Sequence, residues 1–280
     1  MLAEISRPWV LMAISAACFF LTLFKLIAAF DLPTLTSWPK FKETWFGVLW
    51  TYVAPITKKS GLPKVLPLVE GRVRNGEVHD KVVSQPLHGT VLEVGAGSGL
   101  WTDAYKKVAD DAKRTGRPGP TKIYGVEPNH MSAATLRQHV KEIGLDHVYE
   151  VVPVGIEDLD NPGAWGATIE PESVDCIVTV QCLCSIPEPE KNVALLYNYL
   201  KKGGRWYVYE HVRNDRGGLW YFFQSFTDFF WKYMMGSCRL CLNTEKTLTH
   251  TAMWDKIDLA QPPEEPSYQI VPHIYGTLVK

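Results

Sequence analysis

One stretch limits the folds open to this chain more than any other. It is Val91-Leu92-Glu93-Val94-Gly95-Ala96-Gly97-Ser98-Gly99, an apolar run that carries one acid and ends in alternating glycines. Residues 90 to 94 read as a parallel strand buried on both faces, since a half-solvated strand would alternate apolar with polar. The glycines accept backbone conformations closed to other residues, so the next helix can begin with its backbone pressed against a ligand. A second apolar run, Ile123-Tyr124-Gly125-Val126, ends in Glu127, and Pro128 and Asn129 open a helix behind it. A carboxylate at the tip of the second strand is what chelates two ribose hydroxyls.

Two details separate this turn from a dinucleotide site. The glycines run G-x-G-x-G rather than G-x-G-x-x-G, so the third glycine of the dinucleotide fingerprint is out of register. Glu93 also lies inside the strand, and in this it resembles methyltransferases of this fold, in which such an acid organises the loop holding the methionine end of the cofactor. Together they point to S-adenosylmethionine. The competing reading is a glycine-rich strand-to-helix turn with no ligand, and the paired Glu127 argues against it.

Strands and helices alternate through the rest of the chain. Arg72 to Ser84 reads as a polar helix, followed by a strand at 90–94, a helix at 99–112 and a strand at 122–126. The loop 113–120 is an exposed insertion that lengthens the spacing between Glu93 and Glu127. A helix at 130–143 and a strand at 149–154 follow. The strand at 174–180, apolar throughout after Asp175, is a central one. A helix at 187–200 stops at Lys201-Lys202-Gly203-Gly204, and residues 205–210 form a fifth strand. Repeated strand, crossover and strand give an α/β, doubly wound parallel sheet, with the last strands at 256–259 and 273–279. Ligands of such sheets collect beyond the carboxyl ends of the strands. The expected cofactor-binding set is therefore Glu93, Gly95, Ala96, Gly97, Gly99, Glu127, Pro128, Ile156, Glu157 and Gln181, with Glu210-His211 at the same edge.

The N-terminus is of a different kind. No charged residue occurs from Pro8 to Phe24, and after Lys25 the apolar run resumes to Phe30. The uncharged part, as helix, spans about 25 Å against a hydrocarbon core of roughly 30 Å, so Lys25 must snorkel. Lys25, Lys40, Lys42, Lys58 and Lys59 follow the segment while mainly Arg7 precedes it, which leaves the following domain in the cytosol. A signal peptide cut near Ala28-Ala29 and a buried core helix are the rival readings. If residues 38 to 52 are helical, Phe41, Trp45, Leu49 and Tyr52 share one face, as on an interfacial helix or one packed on the domain. Gly61 to Pro67 reads as a linker.

Composition excludes some functions. With 29 Lys and Arg against 30 Asp and Glu, the net charge is -1, and no segment has the clustered cations a nucleic-acid binder needs. The six cysteines (Cys18, Cys176, Cys182, Cys184, Cys238, Cys241) sit inside apolar or helical patterns, unlike a secreted disulfide framework. Cys182-x-Cys184 and Cys238-x-x-Cys241 have ligand-like spacing, but the first pair lies just past a buried strand and the second lacks the tight glycine turn of a zinc knuckle, so no metal is expected.

Leu183-Cys184-Ser185-Ile186, Lys202-Gly203-Gly204, Glu210-His211-Val212, Gln224 with Asp228 and Trp231, Gly236 to Leu240, and Pro272-His273-Ile274-Tyr275-Gly276 carry a closer resemblance. Over about residues 85–280, and in its apolar N-terminus, the chain resembles the membrane-anchored methyltransferase-like family of alkyl thiol S-methyltransferases. The resemblance implies a seven-stranded, Rossmann-like class I methyltransferase sheet closed by an antiparallel hairpin. It further implies S-adenosylmethionine as donor, small lipophilic thiols as acceptors, and anchorage on endoplasmic reticulum or lipid droplets. The expected organisation is a hydrophobic membrane anchor over 1–30, an amphipathic or linker segment over 31–67, and the methyltransferase domain over 68–280. Two positions depart from the pattern. Gly155 stands where many such enzymes have an acid for adenine, leaving Glu157 or Asp158, and Leu242 stands where an Arg is common.

In-line methyl transfer asks the protein to align a nucleophile and exclude water. His211, after the fifth strand, is the first candidate for base or acceptor orienter, and a loop histidine packing on the sheet is the alternative. Asp228 is the second candidate. It lies in an aromatic segment, 219–245, where Trp220, Gln224, Asp228 and Trp231 share a helical face, as a lid over a lipophilic pocket would. A membrane-contacting or core helix gives the same pattern. His273 reads as a packing residue.

Overall fold

The computed structural model describes residues 2–216 and 218–280; Met1, the first residue of the anchor segment, lies outside them. Helix α1, Leu2–Ala28, leads through the short α2, Leu32–Leu35, to the long α3, Trp38–Val69. The expected linker at 61–67 is thus the last part of α3, which runs through Pro55, Pro63 and Pro67 although an interior proline costs about 3 kcal/mol. Packing offsets that cost. Val65, Leu68 and Val69 are fully buried, and a Cβ on Gly61 would stand 2.5 Å from the Trp101 ring, so α3 lies close against the turn after the first long strand. Phe41, Trp45 and Leu49 are buried as the spacing predicts, but Val53 completes the stripe and Tyr52 is exposed.

The polar helix expected over Arg72 to Ser84 is absent. A hairpin stands there instead, with β1, Val73–Arg74, paired antiparallel to β2, Glu77–Val78. Asn75 (φ 50°) and Gly76 (φ 74°) form its turn, and Asn-Gly is a strong two-residue hairpin signal because both positions need positive φ.

The main sheet contains β3 (Gly89–Val94), β4 (Pro120–Val126), β5 (Tyr149–Val152), β6 (Val174–Val180), β7 (Leu200–His211), β8 (Lys256–Ala260) and β9 (His273–Val279). Its order is β5-β4-β3-β6-β7-β9-β8. The first five strands are mutually parallel, and β9 runs antiparallel to both β7 and β8. The chain winds outward from β3 one way and from β6 the other, so the switch point falls between β3 and β6, where such sheets bind their ligands. The expected stop at Gly203-Gly204 is a bulge within β7: Val174 pairs with Leu200, whereas Cys176 pairs with Arg205.

Helices α4 (Thr102–Thr115) and α5 (His130–Glu142) cover one face with α3, while α6 (Pro162–Trp165), α7 (Pro189–Tyr199) and α9 (Thr244–Thr251) serve the other. The period-2 alternation of strands divides β3 between the two cores: Val91 packs with Tyr105 and Tyr149, Leu92 and Val94 with Ile177 and Trp206. Glu93 therefore points to the Tyr105 side. A third cluster joins α1, α3 and α8 (Gly218–Met234) through Met12, Cys18, Trp45, Leu49 and Trp231. Two bonds pin α1 there, from Ser15 Oγ to the Met234 carbonyl at 2.5 Å and from Trp45 Nε1 to the Ser15 carbonyl at 2.8 Å.

Candidate active site

The turn after β3 is built by backbone geometry. Gly95, Gly97 and Gly99 have φ of 69°, 56° and 90°, values that L side chains adopt at a cost. A Cβ on Gly95 would meet Cys182 Cβ at 2.5 Å, whereas nothing lies within 4 Å of one on Gly97. Gly95 thus allows the turns after β3 and β6 to touch, and Gly97 leaves the outer face of its loop open. The Ala96 amide donates to the Val126 carbonyl at 3.0 Å, which ties the turn to β4.

Glu127, at the end of β4, accepts the Gly97 amide on Oε2 at 2.9 Å and the Asn129 amide on Oε1 at 2.8 Å. Burial pushes its carboxyl above the ordinary range, against the pull of the two amides. Each oxygen keeps a second lone pair for another donor. Glu93 is buried too. It accepts from Tyr105 Oη at 3.0 Å and from Tyr149 Oη, and burial pushes it up to about 7 despite those bonds. Tyr149 reaches it because Gly125 has no side chain: a Cβ there would fall 2.1 Å from the phenol oxygen. In this arrangement the Glu93 carboxylate meets tyrosines, not the glycine loop.

The remaining cofactor candidates lie at the same carboxyl edge. Pro128 is exposed beside Glu127. Ile156 is buried on a 3₁₀ turn, Ile156–Asp158, with exposed Glu157 after it. Gln181 follows β6 with φ 53°, its amide bonded to the Tyr209 carbonyl at 2.9 Å. A non-glycine residue held at positive φ is a strain that accumulates at functional sites.

The ends of β6 and β7 complete this edge of the sheet. Buried Glu210 accepts the amides of Cys182 and Leu183 at 3.1 and 3.3 Å, fixing the turn Leu183–Ser185. Burial pushes Glu210 up to about 7. His211 pairs across the sheet with His273, and its Nε2 lies 3.3 Å from Cys238 Sγ, which lies 3.4 Å from Cys184 Sγ. Burial pulls the imidazole down, but Cys184 and the carboxylates of Glu210 and Asp228 raise it by more. Its Nδ1 is buried without a partner.

Asp228 reaches this cluster through the backbone. Its Oδ1 accepts the Leu240 amide at 2.7 Å and its Oδ2 the Arg239 guanidinium at 3.2 Å, so it holds the loop that carries Cys238. Gln224 is a clamp as well, accepting from the Asn214 amide and donating to the carbonyls of Val212 and Ile270. Trp231 and Thr227 share this buried face with them, while Trp220 is only half-buried. His273 is bonded to Glu265 at 2.5 Å and stacked on Tyr209.

The sequence places Glu210 with His211 at the strand edge, and it pairs Cys238 with Cys241 rather than with Cys184 and His211. The role of Glu210 in fixing the turn after β6, and the meeting of Cys238 with Cys184 and His211, have no local signal, because the partners come from separate strands.

A Methyltransferase domain model matches residues 72–251. Thiol S-methyltransferase TMT1B of Homo sapiens is 30% identical over 192 residues, covering 68% of this chain and 70% of that protein. Phosphatidylethanolamine N-methyltransferase of Cereibacter sphaeroides is 30% identical over 132 residues, covering 47% of this chain, and the chain spans about half (55%) of its length. Among solved structures, a geranyl diphosphate methyltransferase superposes with a TM-score of 0.51 at 13% identity, over 84% of this chain and 90% of that one, which is a likeness of fold. The open glycine turn and the fixed Glu127 carboxylate fit S-adenosylmethionine. The chain belongs to the class I S-adenosylmethionine-dependent methyltransferases, and within them to the thiol S-methyltransferase type.

Proposed function

We propose that this chain is a membrane-anchored, cytosol-facing enzyme that methylates a small lipophilic acceptor, an alkyl thiol, at the endoplasmic reticulum or lipid droplet surface. The observation that carries this reading is the position of the Cys184–His211–Cys238 cluster: it lies at the strand edge that bears the glycine turn, and Gly236, Ser237 and Arg239, which flank Cys238 in sequence, line an aromatic cavity. That cavity, of about 790 Å³, lies between α1, α3 and the end of α8, with Phe19, Phe20, Trp38, Trp45, Tyr233 and Arg239 in its wall. Its size suits a small molecule.

Residues 95–99 cradle the cofactor with Glu93 behind them, Glu127 and Pro128 receive its ribose, Ile156 and Glu157 its adenine, and Gln181 closes the site. S-adenosylmethionine supplies an electrophilic methyl on a sulfonium. The chain's own residues orient the acceptor and keep water out. His211 is the acceptor-orienting residue. Asp228 is a positioning residue that acts through the loop of Cys238. A free thiol has a pKa of about 8.5, so several per cent is thiolate at neutral pH and little base catalysis is needed.

Membrane attachment is supported by surface chemistry. The span Glu4–Ala28 is long and apolar enough to cross a bilayer, with a mean hydropathy of 2.3 over its most apolar window. Helix α8 turns Phe222, Phe226, Phe229 and Tyr233 outward, and Trp9 of α1 packs on Phe226 and Phe230 with ring centroids 5.9 and 5.8 Å apart. Such a wall far exceeds the scattered apolar residues of a soluble surface. Its lipid-facing character and the bacterial relative's name favour one second reading, methylation of a membrane lipid, quinone or sterol. Radiolabelled-methyl transfer to a panel of thiols, phenols and lipids separates the two: label on thiols supports the proposal, and label confined to lipids supports the second reading.

A further inference from the structure

Three elements that are distant in sequence bring soft ligands together. Cys184 lies in the turn after β6, His211 ends β7, and Cys238 lies in the loop after α8. Cys184 Sγ, a ring nitrogen of His211 and Cys238 Sγ fall within 4.8 Å of one another. The two sulfurs are 3.4 Å apart, well beyond the roughly 2.05 Å of a disulfide. A tetrahedral ion bound by thiolates at about 2.3 Å and an imidazole at about 2.0–2.1 Å sets its ligands about 3.5–3.8 Å apart. The two edges that meet at Cys238, 3.3 and 3.4 Å, are a few tenths of an ångström tighter than that, and the third, Cys184 to His211, lies within 4.8 Å.

The surroundings fix the backbone that carries each ligand, while the outer ring nitrogen of His211, Nδ1, has no protein partner. The Arg239 amide donates to the Cys184 carbonyl at 3.1 Å. Asp228 fixes residues 239 and 240, Glu210 fixes the turn that leads to Cys184, and β9 holds the end of β7. Cys184 and His211 are buried while Cys238 is half-buried. Access is therefore from the side of Cys238, whose neighbours Gly236, Ser237 and Arg239 border the aromatic cavity. Two thiolates and a neutral imidazole carry a charge of about −2. Arg239 is paired with Asp228, and a divalent ion would balance the charge that the ligands take on when they lose their protons.

We propose that Cys184, His211 and Cys238 form a Cys2His site for Zn²⁺ with one open coordination position, which takes the acceptor as its thiolate. Three protein ligands and an open position are the pattern of catalytic zinc, and zinc also deprotonates a coordinating thiol. The cysteine and acceptor thiols each release a proton to solvent on binding. In the transfer, the acceptor sulfur's electron pair forms the new S–CH₃ bond, and the pair of the broken methyl–sulfonium bond stays with the departing sulfur. The identity of the fourth ligand rests on the thiol reading above; the three-residue site does not.

The test uses the full chain in detergent under reducing conditions, stripped of metal and then given Zn²⁺ or Co²⁺. The expected result is one ion per chain. With cobalt, tetrahedral d–d bands and thiolate charge-transfer bands should appear. Cys184→Ser, Cys238→Ser and His211→Ala should each weaken binding by more than the roughly 10- to 100-fold that loss of an outer partner costs. Cys241→Ser should bind as the parent does, and circular dichroism checks that each variant is folded. Substoichiometric zinc, or a cobalt spectrum unchanged in folded Cys238→Ser, overturns the proposal. Metal-loaded protein that methylates no thiol would remove the acceptor reading and leave the site. Thiol methylation by fully metal-free chain would remove the site's catalytic role and leave the acceptor reading.

Discussion

Glu127 reaches back across 30 residues of sequence to Gly97, whose amide it accepts at 2.9 Å. The residue assigned to the ribose therefore also sets the shape of the loop assigned to the rest of the cofactor. Glu127→Ala should lower affinity for S-adenosylmethionine on the order of 100-fold, as expected for losing about 3 kcal/mol of charge-assisted hydrogen bonds. Isothermal titration calorimetry reads this directly. A folded variant that binds with parental affinity would refute the role.

Two neighbouring glycines should separate stability from binding. Gly95→Ala meets both a positive φ and the Cys182 Cβ, so it should lose about 2–4 kcal/mol of stability. Gly97→Ala meets the φ penalty alone, about 1–2 kcal/mol, yet its new methyl would stand on the open face of the loop. It should weaken cofactor binding more than it lowers the unfolding midpoint. Thermal unfolding and calorimetry on the pair distinguish these outcomes.

Glu93 predicts a pH dependence of stability. Its folded-state pKa is raised from an ordinary 4.5 to about 7, so the folded chain holds this proton more tightly than the unfolded chain. The resulting stabilisation is full below 4.5 and is lost as pH rises through 7, on the order of 3 kcal/mol. Glu93→Gln cannot titrate and should flatten that part of the profile. Unfolding midpoints measured from pH 4.5 to 8 on both proteins give the difference, and parallel profiles would contradict the assignment.

Asp228 holds the Leu240 amide and the Arg239 guanidinium. Asp228→Ala leaves the Leu240 amide unpaired and should destabilise the fold by about 1–3 kcal/mol. As a positioning change it should also raise the acceptor KM while leaving affinity for S-adenosylmethionine unchanged. Asp228→Asn, which keeps an oxygen for Leu240, should recover most of the stability. Weaker cofactor binding in Asp228→Asn would contradict this.

The parallel sheet was legible because β3, β4 and β6 are apolar on both faces, a pattern few other elements share. The glycine turn and Glu127 were legible for a local reason, since positive φ and a strand-tip carboxylate leave marks in adjacent residues. Helix α3 was misread as ending early because Pro63 and Gly61 signal a break, and only the burial of Val65 and Leu68 and the Trp101 contact override it. The hairpin at Asn75-Gly76 was missed in favour of a helix although its turn residues were in plain view. Asp228 and Gln224 were recognised as unusual, but polarity in an aromatic helix does not reveal whether a group faces substrate or backbone. The Cys184–His211–Cys238 cluster depends on the adjacency of β6 and β7 and on where α8 ends, which no spacing rule for cysteines contains.

The most direct test of the account is transfer of labelled methyl from S-adenosylmethionine to a small alkyl thiol by the full chain in membranes. The account predicts a methyl thioether and demethylated cofactor in equal amounts, with both reduced on the order of 100-fold in Glu127→Ala at cofactor concentrations well below the parent's dissociation constant. Cofactor binding without any thioether across the thiol panel, or label that enters phenols or lipids alone, would contradict it.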